Sequence, residues 1–189
     1  VHMGKMALAN LKLATSVLLE NKYECLDEVF KNETEIDILN KKLTEYLIKV
    51  NNLSLNEKQK VQVSNLFYSI SDLERVGDHA ENLAEAAQYL KEHGLAFSET
   101  GIEDLKEISS AAIGAVDHAV AARQDGGMED IRQVSKLEDR VDTLEEEMRD
   151  KHIERLSKKF ITNGYFQRST CIFHSASKSY SLSLIIRHE

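Results

Sequence analysis

No proline occurs anywhere in the 189 residues, and only 8 glycines do. Proline costs roughly 3 kcal/mol in a helix interior and glycine about 1 kcal/mol, so a chain of this kind can form long, uninterrupted helices. With 42% hydrophobic and 30% charged residues, the chain can also bury a substantial core, as one domain or two small ones. We therefore expect a protein built mainly of long helices.

The net charge and the cysteines limit the functional classes. A formal net charge of −8 argues against nucleic acid as a partner, because phosphate binding requires concentrated Lys and Arg. Two cysteines far apart in sequence, Cys25 and Cys171, indicate a reducing compartment rather than a disulfide framework. No run of about 18 apolar residues predicts a membrane span, and no signal peptide is visible. The opening Val1-His2-Met3 resembles a cloning remnant, which leaves an upstream membrane part open.

Apolar residues recur with a period near 3.6 in three segments of the first half. The pattern predicts helices over Lys5 to Glu20, Tyr23 to Val50, and about Leu55 to Glu92. Ser54 and Glu57 have the spacing of a capping box before the third helix, and His93-Gly94 provides its end. We expect these three helices to form one bundle.

The chain repeats itself at an offset of 105 residues without gaps. This offset aligns Val29 with Val134, and Glu33-Asp37 with Glu138-Asp142. A duplicated helical unit of this length predicts two bundles, each covering an apolar face of the other. We therefore expect an all-α tandem repeat of two three-helix bundles, with the first bundle at 1–94 and a partial second repeat at 95–163.

The repeat fails in the last segment, residues 164–189. This segment contains 7 Ser or Thr in 26 residues and a single acid, Glu189. Its apolar residues Tyr180, Leu182, Leu184 and Ile186 alternate with period two, which favours a strand. The third helix of the second bundle is therefore atypical or disrupted. Either a divergent tail or, as we favour, a shifted reading frame accounts for the change, and the coding DNA decides between them.

Pairs of acids four residues apart are the main candidate functional feature. Residues i and i+4 share a helix face, so each pair presents two carboxylates in one direction. The pairs are Glu33 with Asp37, Glu74 with Asp78, and Glu138 with Asp142. Two such helices side by side form an anionic cleft that requires a compensating cation. Oxygen ligands without Cys or paired His favour Fe³⁺, Mn²⁺, Mg²⁺ or Zn²⁺. The alternative for each pair is an ordinary solvated helix face.

The stretch SDLERVGDHAENLAE at residues 71–85, together with the Glu33-x-x-x-Asp37 pair and the helical repeat, resembles the PhoU family of phosphate-signalling proteins. Residues 53–74 resemble more closely the PhoU-like domain at the cytoplasmic C-terminus of bacterial sodium/phosphate cotransporters. The resemblance covers roughly residues 5–160 and is strongest in the first half. It implies two three-helix bundles that bind iron or zinc clusters and regulate phosphate uptake without catalysing a reaction.

Carried over residue by residue, the resemblance implies Glu33, Asp37, Glu74 and Asp78 as metal ligands, with Asn82 on the same face as an extra contact. In the second repeat only Glu138 and Asp142 match. The expected partners are a phosphate transporter or its membrane portion, phosphate-signalling proteins, and inorganic phosphate held through the metal. The expected location is cytoplasmic, as a separate protein or as the soluble part of a transporter.

Two other functions remain open at this point. His79 lies beside acids on a helix and is an additional candidate contact, or the phosphoacceptor of a phosphotransfer bundle. The chain could also be a metal-free helical scaffold. A ferritin-like oxidase is not expected, because no Glu-x-x-His sequence combines with these acid pairs. A disrupted second bundle would expose apolar surface, which makes a homodimer plausible.

Overall fold

The structure is a computed structural model that describes residues 1–157, with side chains through Lys151. Five α-helices follow one another: α1 His2–Glu20, α2 Leu26–Asn51, α3 Glu57–Glu92, α4 Glu99–Asp125 and α5 Met128–Ser157. A short 3-10 helix, Tyr23–Cys25, joins α1 to α2. The described part of the chain contains no strand, so the all-α prediction is confirmed. The predicted strand, the atypical third helix and the shifted reading frame all concern residues outside the described part.

The helix ends have clear local causes. The capping box before α3 forms two residues later than predicted, because the Asn56 side chain, rather than Ser54, accepts from the Gln59 backbone N–H. The Gln59 side chain in turn accepts from the Asn56 backbone N–H at 3.0 Å. The prediction of a Ser54 to Glu57 box was therefore wrong, and the predicted glycine at the end of α3 is present at Gly94 with a φ of +61°.

The 105-residue offset is visible in the backbone. The residue that follows α1, Asn21, has φ 58° and ψ 32°, and the residue that follows α4, Gly126, has φ 68° and ψ 25°. Both residues adopt the left-handed conformation that commonly ends helices, and Asn and Gly are the residues that tolerate it best. The equivalent positions 12 and 117 meet across the α1–α4 contact, where Lys12 Nζ lies 3.0 Å from Asp117 Oδ2. Helices α4 and α5 thus repeat α1 and α2, while the proposed domain limits at 94 and 163 stay predictions.

The core of the first half lies among α1, α2 and α3, and α1 also packs on α4, which packs on α5. One continuous apolar cluster includes Leu11, Ile36, Val76 and Leu83 from the first three helices. A polar contact fixes how α1 faces α2. Asn10 is fully buried, donates to the Val29 carbonyl at 3.1 Å and accepts from Asn32 at 3.2 Å. Because a buried amide is costly when unpaired, this contact favours one register of the two helices.

Candidate metal centre

Close packing of α2 on α3 brings the two acid pairs of the first half to the same level. Ile36, which is 1% exposed, packs directly on Gly77, where an added Cβ atom would lie 3.2 Å from the Ile36 Cγ2 atom. Ile36 lies between Glu33 and Asp37 in sequence, just as Gly77 lies between Glu74 and Asp78. The contact of Ile36 with Gly77 therefore brings the acids of α2 near those of α3. The absence of a side chain at Gly77 thus permits the close approach of α2 and α3.

The charges of these acids act on one another. Partial burial is the largest cause that raises the pKa of the Glu33 carboxyl. Neighbouring negative charges raise it further, namely those of Glu81, Asp37, Asp78 and Glu74. These residues come from both helices. The carboxylates of α2 and α3 are therefore close enough for their negative charges to repel one another.

The same causes act on the α3 pair. Partial burial and then the charges of Asp78 and Asp37 raise the pKa of Glu74, while Arg75 and Lys41 oppose the rise. Partial burial and then Asp37 raise the pKa of Asp78, again opposed by Arg75. A group whose pKa is raised by like charges is stabilised by an added cation, because the cation offsets the repulsion. The acids of α2 and α3 thus carry unfavourable like-charge contacts in the absence of a cation.

A lysine already supplies part of the missing positive charge. Lys41 Nζ lies 2.9 Å from Asp37 Oδ2, one helical turn along α2. The hydrogen bond with Asp37 and its charge raise the pKa of Lys41, and the charges of Glu33 and Glu74 add to the effect. A cation that binds Asp37 therefore competes with the Lys41 ammonium.

The structure adds one acid that the sequence analysis missed. Partial burial raises the pKa of Glu81, followed by the charges of Glu85, Asp78 and Asp37. The signal was present in the sequence, because acids occupy positions i, i+4, i+7 and i+11 of α3: Glu74, Asp78, Glu81 and Glu85. This spacing keeps all four on one helix face. We call Glu33, Asp37, Glu74, Asp78 and Glu81 the first-half acidic cluster.

His79 and Asn82 are less clearly connected with this cluster. Burial is the main cause that lowers the pKa of His79, followed by the charge of Arg75, and both favour the neutral imidazole. Asn82 donates from Nδ2 to the backbone carbonyl of Asp78 at 2.7 Å. This bond directs the amide nitrogen back along its own helix. The roles predicted for these two residues stay predictions.

The third acid pair lies in a different environment on α5. Glu138 is only 6% exposed, and Asp142 is half-buried. Glu145, one turn further on, is 9% exposed and accepts from Arg149 at 2.6 Å. Glu138 and Glu145 are thus not on the solvated helix face that was the alternative for the α5 pair. The structural equivalent of α3 falls outside the described residues, so no partner helix can be assigned to this pair.

As they stand, the side chains do not form a closed ligand set. Among the side chains of residues 1–151, no three Asp, Glu, His or Cys side chains lie close enough together to hold one metal ion. The first-half acidic cluster thus fits a cation in charge, in donor chemistry and in helix placement. Its side chains would have to rotate toward a common point, which half-exposed Glu and Asp side chains can do at modest cost.

Comparisons with known proteins agree with the resemblance to the PhoU family. Residues 1–87 match the PhoU domain, so that resemblance is confirmed for the first half of the chain. A PhoU homologue from Aquifex aeolicus (strain VF5), described as a phosphate-specific transport system accessory protein, is 32% identical over 93 residues. The match covers 49% of this chain and 42% of the relative, so the alignment spans less than half of the relative's length.

Solved structures share the fold. The crystal structure of PhoU from Pseudomonas aeruginosa superposes with a TM-score of 0.88, covering 98% of this chain and 90% of that one at 17% identity. The phosphate transport system regulatory protein PhoU from Streptococcus pneumoniae gives a TM-score of 0.84, with 99% and 90% coverage, also at 17% identity. At such identity the likeness establishes the fold alone. No helix among the described residues has the length and apolarity needed to cross a membrane.

Proposed function

We propose that this chain, whose first half carries a PhoU domain, is a non-enzymatic regulator or accessory domain of phosphate transport and phosphate signalling. The observation that carries the proposal is the PhoU match over residues 1–87, because this range contains the acid pairs of both α2 and α3. The name of the Aquifex aeolicus relative supports a role beside a phosphate transport system. The proposed partners are a phosphate transporter or its membrane portion and phosphate-signalling proteins, on the cytoplasmic side.

The proposal includes a cation held by the first-half acidic cluster. Glu33 and Asp37 would contribute carboxylate ligands from α2, and Glu74 and Asp78 from α3. The charge of Glu81 interacts with this group and would also favour the cation. Oxygen donors accept iron, zinc, manganese or magnesium, and the family resemblance favours iron or zinc. A cation held by few protein ligands keeps open positions for phosphate oxygens. The close contact of Ile36 with Gly77 would keep α2 and α3 in register next to the bound cation.

The second repeat is proposed as a weaker or separate site through Glu138 and Asp142. Glu138 is buried whereas the equivalent Glu33 is half-exposed, so the environment of this pair differs from that of the first repeat. A buried carboxylate next to an Arg149–Glu145 ion pair can be purely structural. Metal content per chain distinguishes the two cases.

A phosphotransfer role for His79 is the other functional class. The lowered pKa supports a neutral imidazole, which a phosphoacceptor requires. The same neutral imidazole is required of an ordinary buried histidine, so this observation does not favour phosphotransfer over packing. Incubation with a small-molecule phosphodonor, such as acetyl phosphate, followed by intact-mass analysis of wild type and His79→Ala tests this class directly.

Elemental analysis tests the proposed metal. The protein is stripped with chelator, dialysed against iron, zinc, manganese or magnesium, and analysed beside Glu74→Gln/Asp78→Asn. The matched control is Glu138→Gln/Asp142→Asn, which removes the same two charges at the same spacing on α5. We expect the α3 variant to lose most of its metal. The α5 control should retain the metal that the first-half acidic cluster binds. Equal metal content in wild type and the α3 variant would remove this cluster as the site.

A further inference from the structure

The far end of the α2–α3 hairpin exposes an unusual amount of apolar surface. We call residues 38–68 the hairpin tip. Among the described residues, eight of the eleven exposed large apolar side chains belong to it: Ile38, Leu43, Tyr46, Ile48, Leu53, Val61, Leu66 and Tyr68. Leu53, Tyr46 and Tyr68 are 64%, 62% and 63% exposed. Patches of this kind on a folded surface usually mark a contact with another molecule or a membrane.

Helix lengths explain why this surface is uncovered. Helix α1 has 19 residues and is about 28 Å long, whereas α2 and α3 have 26 and 36 residues and span about 39 and 54 Å. The first residues of α1 reach only the level of Leu43 and Tyr46, beside which an apolar groove of about 400 Å³ opens. Only Leu47 and Val63 are buried within the tip. The hairpin therefore projects beyond the three-helix core.

The charge of the tip is opposite to that of the chain. The whole protein carries a net charge of −8, yet the tip contains five lysines and only two acids, Glu45 and Glu57. Lys41 pairs with Asp37, and Lys60 pairs with Glu57 at 2.7 Å. The other three lysines, Lys42, Lys49 and Lys58, are exposed and form no ion pair within the described chain. Lys42, Tyr46 and Lys49 share one face of α2, because they are spaced at i, i+4 and i+7.

We propose that the hairpin tip docks onto the surface of an anionic lipid bilayer. Exposed apolar and aromatic side chains flanked by lysines are the combination that inserts into the headgroup region while the ammonium groups contact lipid phosphates. The acidic remainder of the chain is repelled by the same surface, which orients the tip toward it.

Charge also favours an anionic lipid surface over a second copy of the chain as the binding partner of the tip. A two-fold dimer through the tips would bring the lysines of both copies, Lys42, Lys49 and Lys58, into one interface without added acids, and such an excess of like charge is unfavourable. The apolar side chains also surround both helices and the connecting Leu53, rather than forming one stripe for a partner helix. The inference does not depend on the proposed function, because it uses no residue of the acidic cluster.

Vesicle co-sedimentation tests the proposal with the full chain. Vesicles of phosphatidylcholine containing about 30% phosphatidylglycerol are compared with phosphatidylcholine alone, at low and high salt. We expect binding to the anionic vesicles that falls with salt. Lys42→Glu/Lys49→Glu/Lys58→Glu should reduce the partition coefficient by about tenfold or more. The control Lys5→Glu/Lys106→Glu/Lys136→Glu carries the same net charge on exposed residues outside the tip and should reduce it far less.

A second pair of variants tests the apolar part. Ile48→Asp/Leu53→Asp should abolish binding, whereas Leu95→Asp/Met128→Asp, at residues that are 42% and 59% exposed outside the tip, should retain it. Circular dichroism verifies that all variants remain helical. Equal binding by tip variants and controls would overturn the proposal. So would an absence of wild-type binding, whether or not size-exclusion chromatography shows a dimer or a protein partner that depends on the tip.

Discussion

The repeat relates two helical hairpins, α1–α2 and α4–α5. They share a backbone arrangement but differ in the polar contacts and in the burial of their acids. In the first hairpin the buried Asn10 bonds to Asn32, while the equivalent residues of the second are Ala115 and Leu137. The first hairpin holds Glu33 and Asp37 half-exposed opposite the acids of α3, whereas Glu138 in the second is buried. The same acid spacing therefore occurs in two different environments, half-exposed beside the acids of a neighbouring helix in the first hairpin and buried at Glu138 in the second.

The largest expected effect comes from the helix contact beneath the cluster. Gly77→Leu would place a side chain against Ile36, and overpacking of this kind costs about 1–3 kcal/mol and separates α2 from α3. Gly114→Leu is the matched variant, because an added Cβ there would lie 3.2 Å from Leu137 Cδ1 between α4 and α5. Urea unfolding measures the stability of both, and metal titration measures binding.

Only the first of these variants should weaken metal binding, although both should lower stability. Equal loss of metal affinity in Gly77→Leu and Gly114→Leu would mean that general destabilisation, rather than the spacing of α2 and α3, controls the site.

An intermediate effect is expected from removing one charge of the cluster in the metal-free protein. Because the folded-state pKa of Glu74 is raised, the folded protein binds protons more tightly than the unfolded chain, and stability falls as pH rises through that raised pKa. Glu74→Gln should therefore raise the melting temperature near neutral pH by about 1–2 °C, after allowance for solvent screening. The gain should disappear as the pH approaches the ordinary carboxyl value of 4.5.

Glu103→Gln on the exposed face of α4 is the control for this experiment, measured by calorimetry at the same pH values. If both variants change the melting temperature alike across the pH range, the repulsion within the cluster is not the cause.

The smallest expected effect concerns Lys41, whose ammonium group pairs with Asp37. Lys41→Gln removes the ammonium beside Asp37, so the metal-free protein should lose a little stability while its affinity for a divalent cation rises. Lys60→Gln removes a comparable exposed ion pair with Glu57 at the hairpin tip and should leave metal affinity unchanged. Isothermal titration with Mn²⁺ measures both. Weaker Mn²⁺ binding by Lys41→Gln would contradict a competition between the lysine and the metal.

Much of the fold could be predicted because helix periodicity and helix ends are local properties. The break at Asn21, the glycine at the end of α3 and the 105-residue offset all follow from residue types at fixed spacings. The capping box was placed wrongly because Ser54 and Asn56 are both good caps, and only the course of the connecting segment selects between them. The burial of Glu138 could not be predicted, because burial depends on what packs against α5.

The site was predictable in part. The acids that share a face of one helix, Glu33 with Asp37 and Glu74 with Asp78, were identified from their spacing. That the two faces meet depends on the contact of Ile36 with Gly77, for which the glycine was the only local signal. Glu81 was missed, although its spacing from Glu74 and Asp78 was visible. The role of Lys41 could not be foreseen, since many lysines flank acids on solvated helices.

The carboxylates of α2 and α3 act on one another electrostatically, and we propose that the cluster they form binds a cation. Carbon-detected NMR titration of the side-chain carboxyl groups tests it most directly, first in the metal-free protein and then with the diamagnetic ion Zn²⁺. We predict pKa values above the ordinary 4.5 for Glu33 and Glu74 and above 3.8 for Asp78, all lowered by Zn²⁺. Ordinary pKa values for these three carboxyl groups, unchanged by Zn²⁺, would contradict both the electrostatic coupling and the cation site.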